Sequence, residues 1–194
     1  MPSRQVRQMR SQIQYSGFLR GINVGGHALI KMAELQRTFE RMGLKNVRTL
    51  LASGNVVFET GQAVEKRLTK KIETELKAAF KYDIAVMLRS LDDLNALRSA
   101  EPFRGIKVTP DIRLYVTFLP EAAKPWTITI PFASARNELR IPGVAPREVF
   151  SVVDLSKGRG TTEAMNILEK EFGSKITTRN WNTILKILEQ TERA

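Results

Sequence analysis

Three short stretches hold the residues best suited to chemistry. Phe18-Leu19-Arg20-Gly21-Ile22-Asn23-Val24-Gly25-Gly26 runs from an apolar segment into a glycine-bearing polar loop, and Lys31 follows where a helix should begin. Gly21, Gly25 and Gly26 let a backbone turn tightly and present its N–H groups, while Arg20, Asn23 and Lys31 supply polar heads. A helix start disfavours a lysine unless an anion shares the site. Ser53-Gly54-Asn55 adds a hydroxyl and an amide at what reads as a hairpin tip. Thr177-Thr178-Arg179-Asn180 adds hydroxyls and a guanidinium at what reads as a second helix start, with Thr178 as its N-cap. The chemistry these types share is the holding of an anion. The candidate ligand-binding set is Arg20, Asn23, Gly25, Gly26, Lys31, Ser53, Asn55, Thr178, Arg179 and Asn180. Each stretch also has a plain structural explanation: a strand-to-helix turn, a hairpin turn and a helix cap.

The same inspection removes several chemistries. There are no cysteines, so there is no thiolate nucleophile, disulfide or thiolate-bound metal. The one histidine, His27, cannot make a histidine-rich metal site, and any Ser-His device would have to use it. G-x-x-x-x-G-K-[ST] and G-x-G-x-x-G are both absent, so neither phosphate-binding fingerprint applies. Asp92-Asp93 reads as a helix-start pair rather than an acid–base dyad. Gly158-Arg159-Gly160-Thr161-Thr162 is a second-rank anion candidate. No general base stands out, so the catalytic residues are unknown, no reaction follows, and no cofactor or metal is implied.

The chain of 194 residues carries 31 Lys and Arg against 20 Asp and Glu, a formal charge of +11. That balance attracts phosphates and acidic metabolites, or nucleic acid; it also fits a basic solvated surface. Residues 1–14 are polar, with Arg4, Arg7 and Arg10 spaced three apart, and read as a flexible tail or a basic arm. They lack the apolar core of a secretory signal, and no stretch reaches the roughly 20 apolar residues of a membrane span. The expectation is a cytoplasmic protein whose partner is an anionic small molecule, with nucleic acid possible and no membrane. The number of subunits is not legible.

The elements that must position these residues can be read from periodicity. Tyr15 to Ile22 should be a strand. Met32, Leu35, Phe39 and Met42 share one helical face, and Gly43 should stop that helix. Val47–Ala52 and Val56–Glu59 flank Gly54-Asn55, which fits a two-residue hairpin turn. Val64, Leu68, Ile72 and Leu76 mark a helix over 63–80, and Ile84, Val86 and Leu88 a strand to Arg89. Residues 15–89 thus read β-α-β-β-α-β, the ferredoxin-like order. Ser90-Leu91-Asp92-Asp93 is a capping box opening a short helix. Ile112 to Phe118 alternates as a half-buried strand. Residues 120–135 are undecided between a proline-broken strand and a loop. Leu139–Ile141 and Glu148–Val153 bracket Pro142-Gly143 as a hairpin, and helices follow over 162–172 and from about Thr178. The fold class is α+β, with a tail at 1–14, a ferredoxin-like half at 15–89 and a second α+β half at 90–194 packed on it.

Three motifs carry a resemblance. Phe18 to Gly26 with the following Ile30-Lys31-Met32, Leu50 to Phe58, and Thr177-Thr178-Arg179-Asn180-Trp181-Asn182-Thr183 resemble the bacterial family called domain of unknown function 1697, over residues 15–190. The resemblance implies a cytoplasmic α+β protein with two similar halves. It implies no activity. His27-Ala28-Leu29 and Thr161-Thr162-Glu163 depart from the family's usual residues.

Three readings remain open. The first is an anion-binding protein, either a simple binder or an enzyme acting on a phosphorylated metabolite or nucleotide. The second is a nucleic-acid module stacking bases on Phe18 and Phe58, although the K/R-G-F/Y-G/A-F-V-x-F/Y motif is missing. The third is a structural or interaction protein, favoured if the first sheet is covered by the rest of the chain.

Overall fold

Strand β1 (Ile13–Leu19) sends its alternate residues into two different cores. Tyr15 and Leu19 face one, and Phe18 faces the other. This computed structural model describes residues 12–193 except 27, 62–63, 122, 124 and 158–159. The tail with Arg4, Arg7 and Arg10, the lone His27, and the Gly158-Arg159 turn lie outside the described residues. Strand β1 ends three residues earlier than its apolar pattern suggests, because Gly21 and Asn23 take positive φ of 68° and 54°.

Helix α1 (Met32–Arg41) follows the glycine loop and buries Leu35 and Phe39; Gly43, at φ 85°, ends it as expected. Strands β2 (Lys45–Leu50) and β3 (Asn55–Thr60) come next. The turn between them is not the two-residue Gly54-Asn55. Leu50 pairs with Asn55, so Leu51 to Gly54 form the loop and Asn55 is the first residue of β3. Helix α2 (Glu65–Phe80) buries Leu68, Ile72 and Leu76. Val64 sits before it as the N-cap and is exposed, not part of its apolar face. Strand β4 (Val86–Ser90) completes a sheet ordered β2-β3-β1-β4, all antiparallel, which is compatible with the ferredoxin-like start. Helix α3 (Leu91–Ser99) opens with the expected capping box: Ser90 Oγ accepts from Asp93 N–H and Asp93 from Ser90 N–H.

The second sheet is ordered β6-β7-β8-β5-β9. It comprises β5 (Ile112–Phe118), β6 (Phe132–Ala133), β7 (Leu139–Ala145), β8 (Glu148–Asp154) and β9 (Thr177–Asn180). Trp126 to Ile130 forms no strand; only Phe132 and Ala133 pair. Pro142-Gly143 is not the β7–β8 turn. Ala145 pairs with Glu148, which leaves Pro146-Arg147 as the turn, and the ladder shifts register between Arg140 and Gly143. Proline has no N–H for a ladder, so it falls in that irregularity. Helix α4 (Gly160–Phe172) stops at Gly173 with φ 94°, and α5 (Trp181–Glu192) ends the described chain.

Both sheets are mixed with helices in an α+β fold, and three apolar clusters hold it together. One lies between the first sheet and α1 and α2. Another lies between the second sheet and α4. The third lies between the sheets, where Phe18, Val57 and Met87 meet Val116, Phe118, Phe150 and Val152, with Leu94, Ile184 and Leu188 of α3 and α5. The first sheet therefore has no open face. Val116, Thr117 and Phe118 are all buried, so β5 is covered on both sides at its end rather than half exposed.

Candidate functional site

Arg179 ties the three sequence motifs into one cluster. The β-branched run Ile176-Thr177-Thr178 leads into β9, which pairs with β5, with Thr177 opposite Phe118 and Arg179 opposite Val116. Arg179 is therefore in a strand and not in the first turn of a helix. The cap of α5 is Asn180, whose Oδ1 accepts from Asn182 N–H at 2.9 Å; Thr178 does not cap it. Instead the Thr178 and Thr117 hydroxyls share a hydrogen bond of 2.8 Å.

The Arg179 side chain reaches across to the other two motifs. Its Nε donates to Asn55 Oδ1 at 2.7 Å. Its Nη1 donates to Thr177 Oγ1 at 2.8 Å and to Thr178 O at 2.9 Å. Its Nη2 donates to Leu19 O at 2.7 Å and Ser53 O at 2.9 Å. A guanidinium has five N–H donors, and all five are met by neutral acceptors. Burial pushes its pKa down to about 10, so it stays charged at neutral pH. Arg179 is thus not a helix-start cation opposing a dipole; it fastens the loops.

Asn55 and Asn23 serve the same fastening. Asn55 is fully buried and donates to Leu50 O at 2.9 Å and to Ser53 Oγ at 3.2 Å. Asn23 accepts from Ile30 N–H at 2.8 Å and donates to Ile30 O and Ala52 O, at 3.0 and 2.8 Å. It closes the glycine loop on itself and pins it to the β2–β3 loop. Gly54 has φ 77°, and a Cβ there would lie 2.7 Å from Ile22 Cδ1. Only glycine fits where these two loops touch.

Arg20 differs from these residues. Its Nη2 meets Glu169 Oε1 of α4 at 2.8 Å, and the two side chains are 37% and 44% exposed. It stands between two adjoining clefts. One, of about 280 Å³, lies between Arg20, Gly21 and Val24 of the loop, Met165 and Glu169 of α4, Ile176, and Thr177 to Arg179 of β9. The other, of about 330 Å³, runs from Arg20 to Asp83, Ala85, Ser174 and Lys175. A third cleft of about 460 Å³ shares Ala85, Glu73 and Lys175 with the second and continues along α2 and β4 to Arg89.

The candidates therefore separate by place. Arg20, Thr178 and Arg179 line the first cleft. Asn23, Ser53 and Asn55 line none of the three clefts and hold the loops and Arg179 in place. Gly25, Gly26 and Lys31 are exposed and line none of these three clefts. Lys31 is the N-cap of α1, with no capping bond from its side chain. Asn180 is taken up as a cap. Phe18 and Phe58 are both fully buried, so the first sheet offers no bases a stacking platform.

Sequence reasoning missed Glu169 and Met165, which share one helix face at i, i+4, and placed Thr177 in the third motif without including it in the candidate set. It also missed a buried ion pair, Arg89 with Glu148, and a partly exposed one, Arg147 with Glu65. Charged residues inside strand patterns give no sequence signal of which partner will meet them. Among the described residues, no three or more His, Cys, Asp or Glu are grouped to hold a metal ion, and no helix is long and apolar enough to cross a membrane.

Comparison with known proteins supports this architecture. Residues 13–141 match the family model described as "Protein of unknown function (DUF1697)". Among solved structures, the chain is similar to the conserved bacterial protein SP0830 from Streptococcus pneumoniae. The two are 23% identical, with a TM-score of 0.71 over 92% of this chain and 98% of that one. At that identity the likeness is one of fold. No curated protein matches.

Proposed function

We propose that this chain, which belongs to the DUF1697 family and takes no activity from that membership, binds a small organic anion in the cleft between the glycine loop, α4 and β9. The observation that carries the reading is Arg20. It is a half-exposed guanidinium at the mouth of two clefts, and its acidic partner among the described residues is the equally exposed Glu169. Such a pair is weak in water, so an incoming anion can take the place of Glu169 at little cost. Val24, which is 63% exposed, and Met165 and Ile176 give the cleft an apolar wall. The ligand class is thus an acid group attached to a modest apolar body. No reaction is assigned.

The test is calorimetry and thermal shift with aliphatic carboxylates, sugar phosphates and nucleotides, on the native chain, Arg20→Gln and Lys31→Ala. A charge-assisted contact contributes about 1.5–3 kcal/mol, so Arg20→Gln should weaken binding roughly tenfold to a hundredfold. Lys31→Ala, outside the cleft, should leave affinity within about twofold, a margin set by the weak, screened field of an exposed charge. Equal affinity of Arg20→Gln and the native chain for every compound would overturn the proposal.

A further inference from the structure

Arg179 has a counterpart in Arg89. Each lies in an edge strand, β9 or β4, beside the strand that carries a Phe-Leu pair. Each sends Nη2 across to the leucine carbonyl of the opposite sheet: Arg179 to Leu19 at 2.7 Å, Arg89 to Leu119 at 3.1 Å. Each gives Nη1 to the carbonyl of its own preceding residue, Thr178 or Leu88. Each lies over the opposite phenylalanine, Arg179 over Phe18 at 5.8 Å and Arg89 over Phe118 at 5.2 Å. The residues paired with those phenylalanines accept the Nε proton: Asn55 opposite Phe18, and Glu148 opposite Phe118.

The plan is the same and the charge is not. Arg89 is neutralised by a carboxylate, whereas Arg179 has, among the described residues, only neutral acceptors. A buried cation without a counter-charge is costly even when fully hydrogen-bonded. Arg179 is also the one that borders the 280 Å³ cleft. Thr177 borders it too, and its Oγ1 accepts from Arg179 Nη1. A hydroxyl that accepts in this way keeps its own O–H to donate, polarised by the cation behind it.

We infer that an oxyanion of the ligand, carboxylate or phosphate, supplies to Arg179 the counter-charge that Glu148 supplies to Arg89, held by the Thr177 hydroxyl and Arg20. The inference rests on the anion-binding reading above and adds where in the cleft the charge is read.

The experiment gives Arg179 an internal counter-charge. Asn55→Asp places a carboxylate on Nε, as Glu148 is placed on Arg89. Binding of butyrate and of inorganic phosphate is measured by calorimetry at fixed ionic strength, on the native chain, Asn55→Asp, Thr177→Val, Thr177→Ser and Arg20→Gln. Circular dichroism verifies that each is folded. Asn55→Asp should lose tenfold or more in affinity; because its carboxylate can no longer donate to Leu50 O and Ser53 Oγ, affinity and not melting temperature is the readout. Thr177→Val should lose affinity, and Thr177→Ser should restore it, which holds even if Asn55→Asp fails to fold. The stronger of butyrate and phosphate identifies the acid group. Loss in Arg20→Gln with native affinity in Asn55→Asp and Thr177→Val overturns this inference and leaves the cleft reading standing. Native affinity in Arg20→Gln overturns both.

Discussion

Phe18 stacks on Phe118 with ring centroids 4.1 Å apart and planes 12° from parallel, and each ring lies under a guanidinium from the opposite sheet. The contact joins the two sheets at the ends of β1 and β5. The arginines that frame it fasten the loops beyond. Leu19 N–H donates to Gly54 O, and Leu119 N–H to Arg147 O, both at 2.8 Å. The contact is reciprocal, as across a two-fold interface, although it lies within one chain.

Removing either ring should open a cavity between the sheets. Phe18→Ala and Phe118→Ala should each cost about 3–5 kcal/mol in urea denaturation. The double variant should cost less than the two losses added, since the rings are in contact. Additive losses would show that the stack does not couple the sheets.

The two glycine positions at the site should respond differently. Gly21 has φ 68° with nothing within 4 Å of an added Cβ, so Gly21→Ala should cost only the roughly 1–2 kcal/mol of a left-handed backbone. Gly54→Ala carries the same strain and drives a methyl into Ile22 Cγ1 and Cδ1, at 2.8 and 2.7 Å. It should lose distinctly more, by about a further 1–3 kcal/mol. Equal melting temperatures for the two variants would refute the close packing of the loops.

The ion pairs should separate by burial. Glu148→Ala leaves the Arg89 guanidinium buried and unpaired and should cost about 3–5 kcal/mol. Glu169→Ala removes a half-exposed partner from Arg20 and should cost no more than about 1 kcal/mol. Chemical denaturation of both variants at one salt concentration makes the comparison.

Acid should loosen residues 127–128 early. The Glu171 carboxylate accepts from the backbone N–H groups of Thr127 and Ile128 and from the Thr127 hydroxyl, and these bonds hold its pKa below the ordinary value. A carboxyl whose folded pKa is depressed contributes stability that is present above its unfolded value, about 4.3, and lost as pH falls through the lower folded value. Amide exchange at Thr127 and Ile128 should therefore quicken relative to the core as pH drops below about 4. Glu171→Gln should remove that pH dependence. Identical profiles in both chains would count against the bond.

How much of this could be read from the chain follows from the range of the forces involved. Helices α1 to α4 were legible from spacing alone: Leu35 and Phe39, Leu68, Ile72 and Leu76, and the Ser90–Asp93 capping box are set by neighbours three or four residues away. The β-α-β-β-α-β order and the stops at Gly43 and Gly173 belong to the same local physics. The cluster of three motifs was legible as a set of residue types, but not the work those types do. Arg179 looked like a helix-start cation because Thr178 and Asn180 are both good caps; pairing with β5 decided for the strand and moved the cap to Asn180. Of its five acceptors, Thr177 and Thr178 are its own neighbours, but Leu19, Ser53 and Asn55 lie more than a hundred residues away, and no local pattern encodes those three. The same holds for the cleft at Arg20, which exists only because α4 brings Glu169 to it, and for the covered sheet face that removes Phe18 from solvent. Local pattern marks helices α1 to α4, most of the strands and the residues able to carry charge. The tertiary structure decided which of those charges are spent inside the protein and which still face a cleft, because burial and partner geometry are properties of chain segments that meet only after folding.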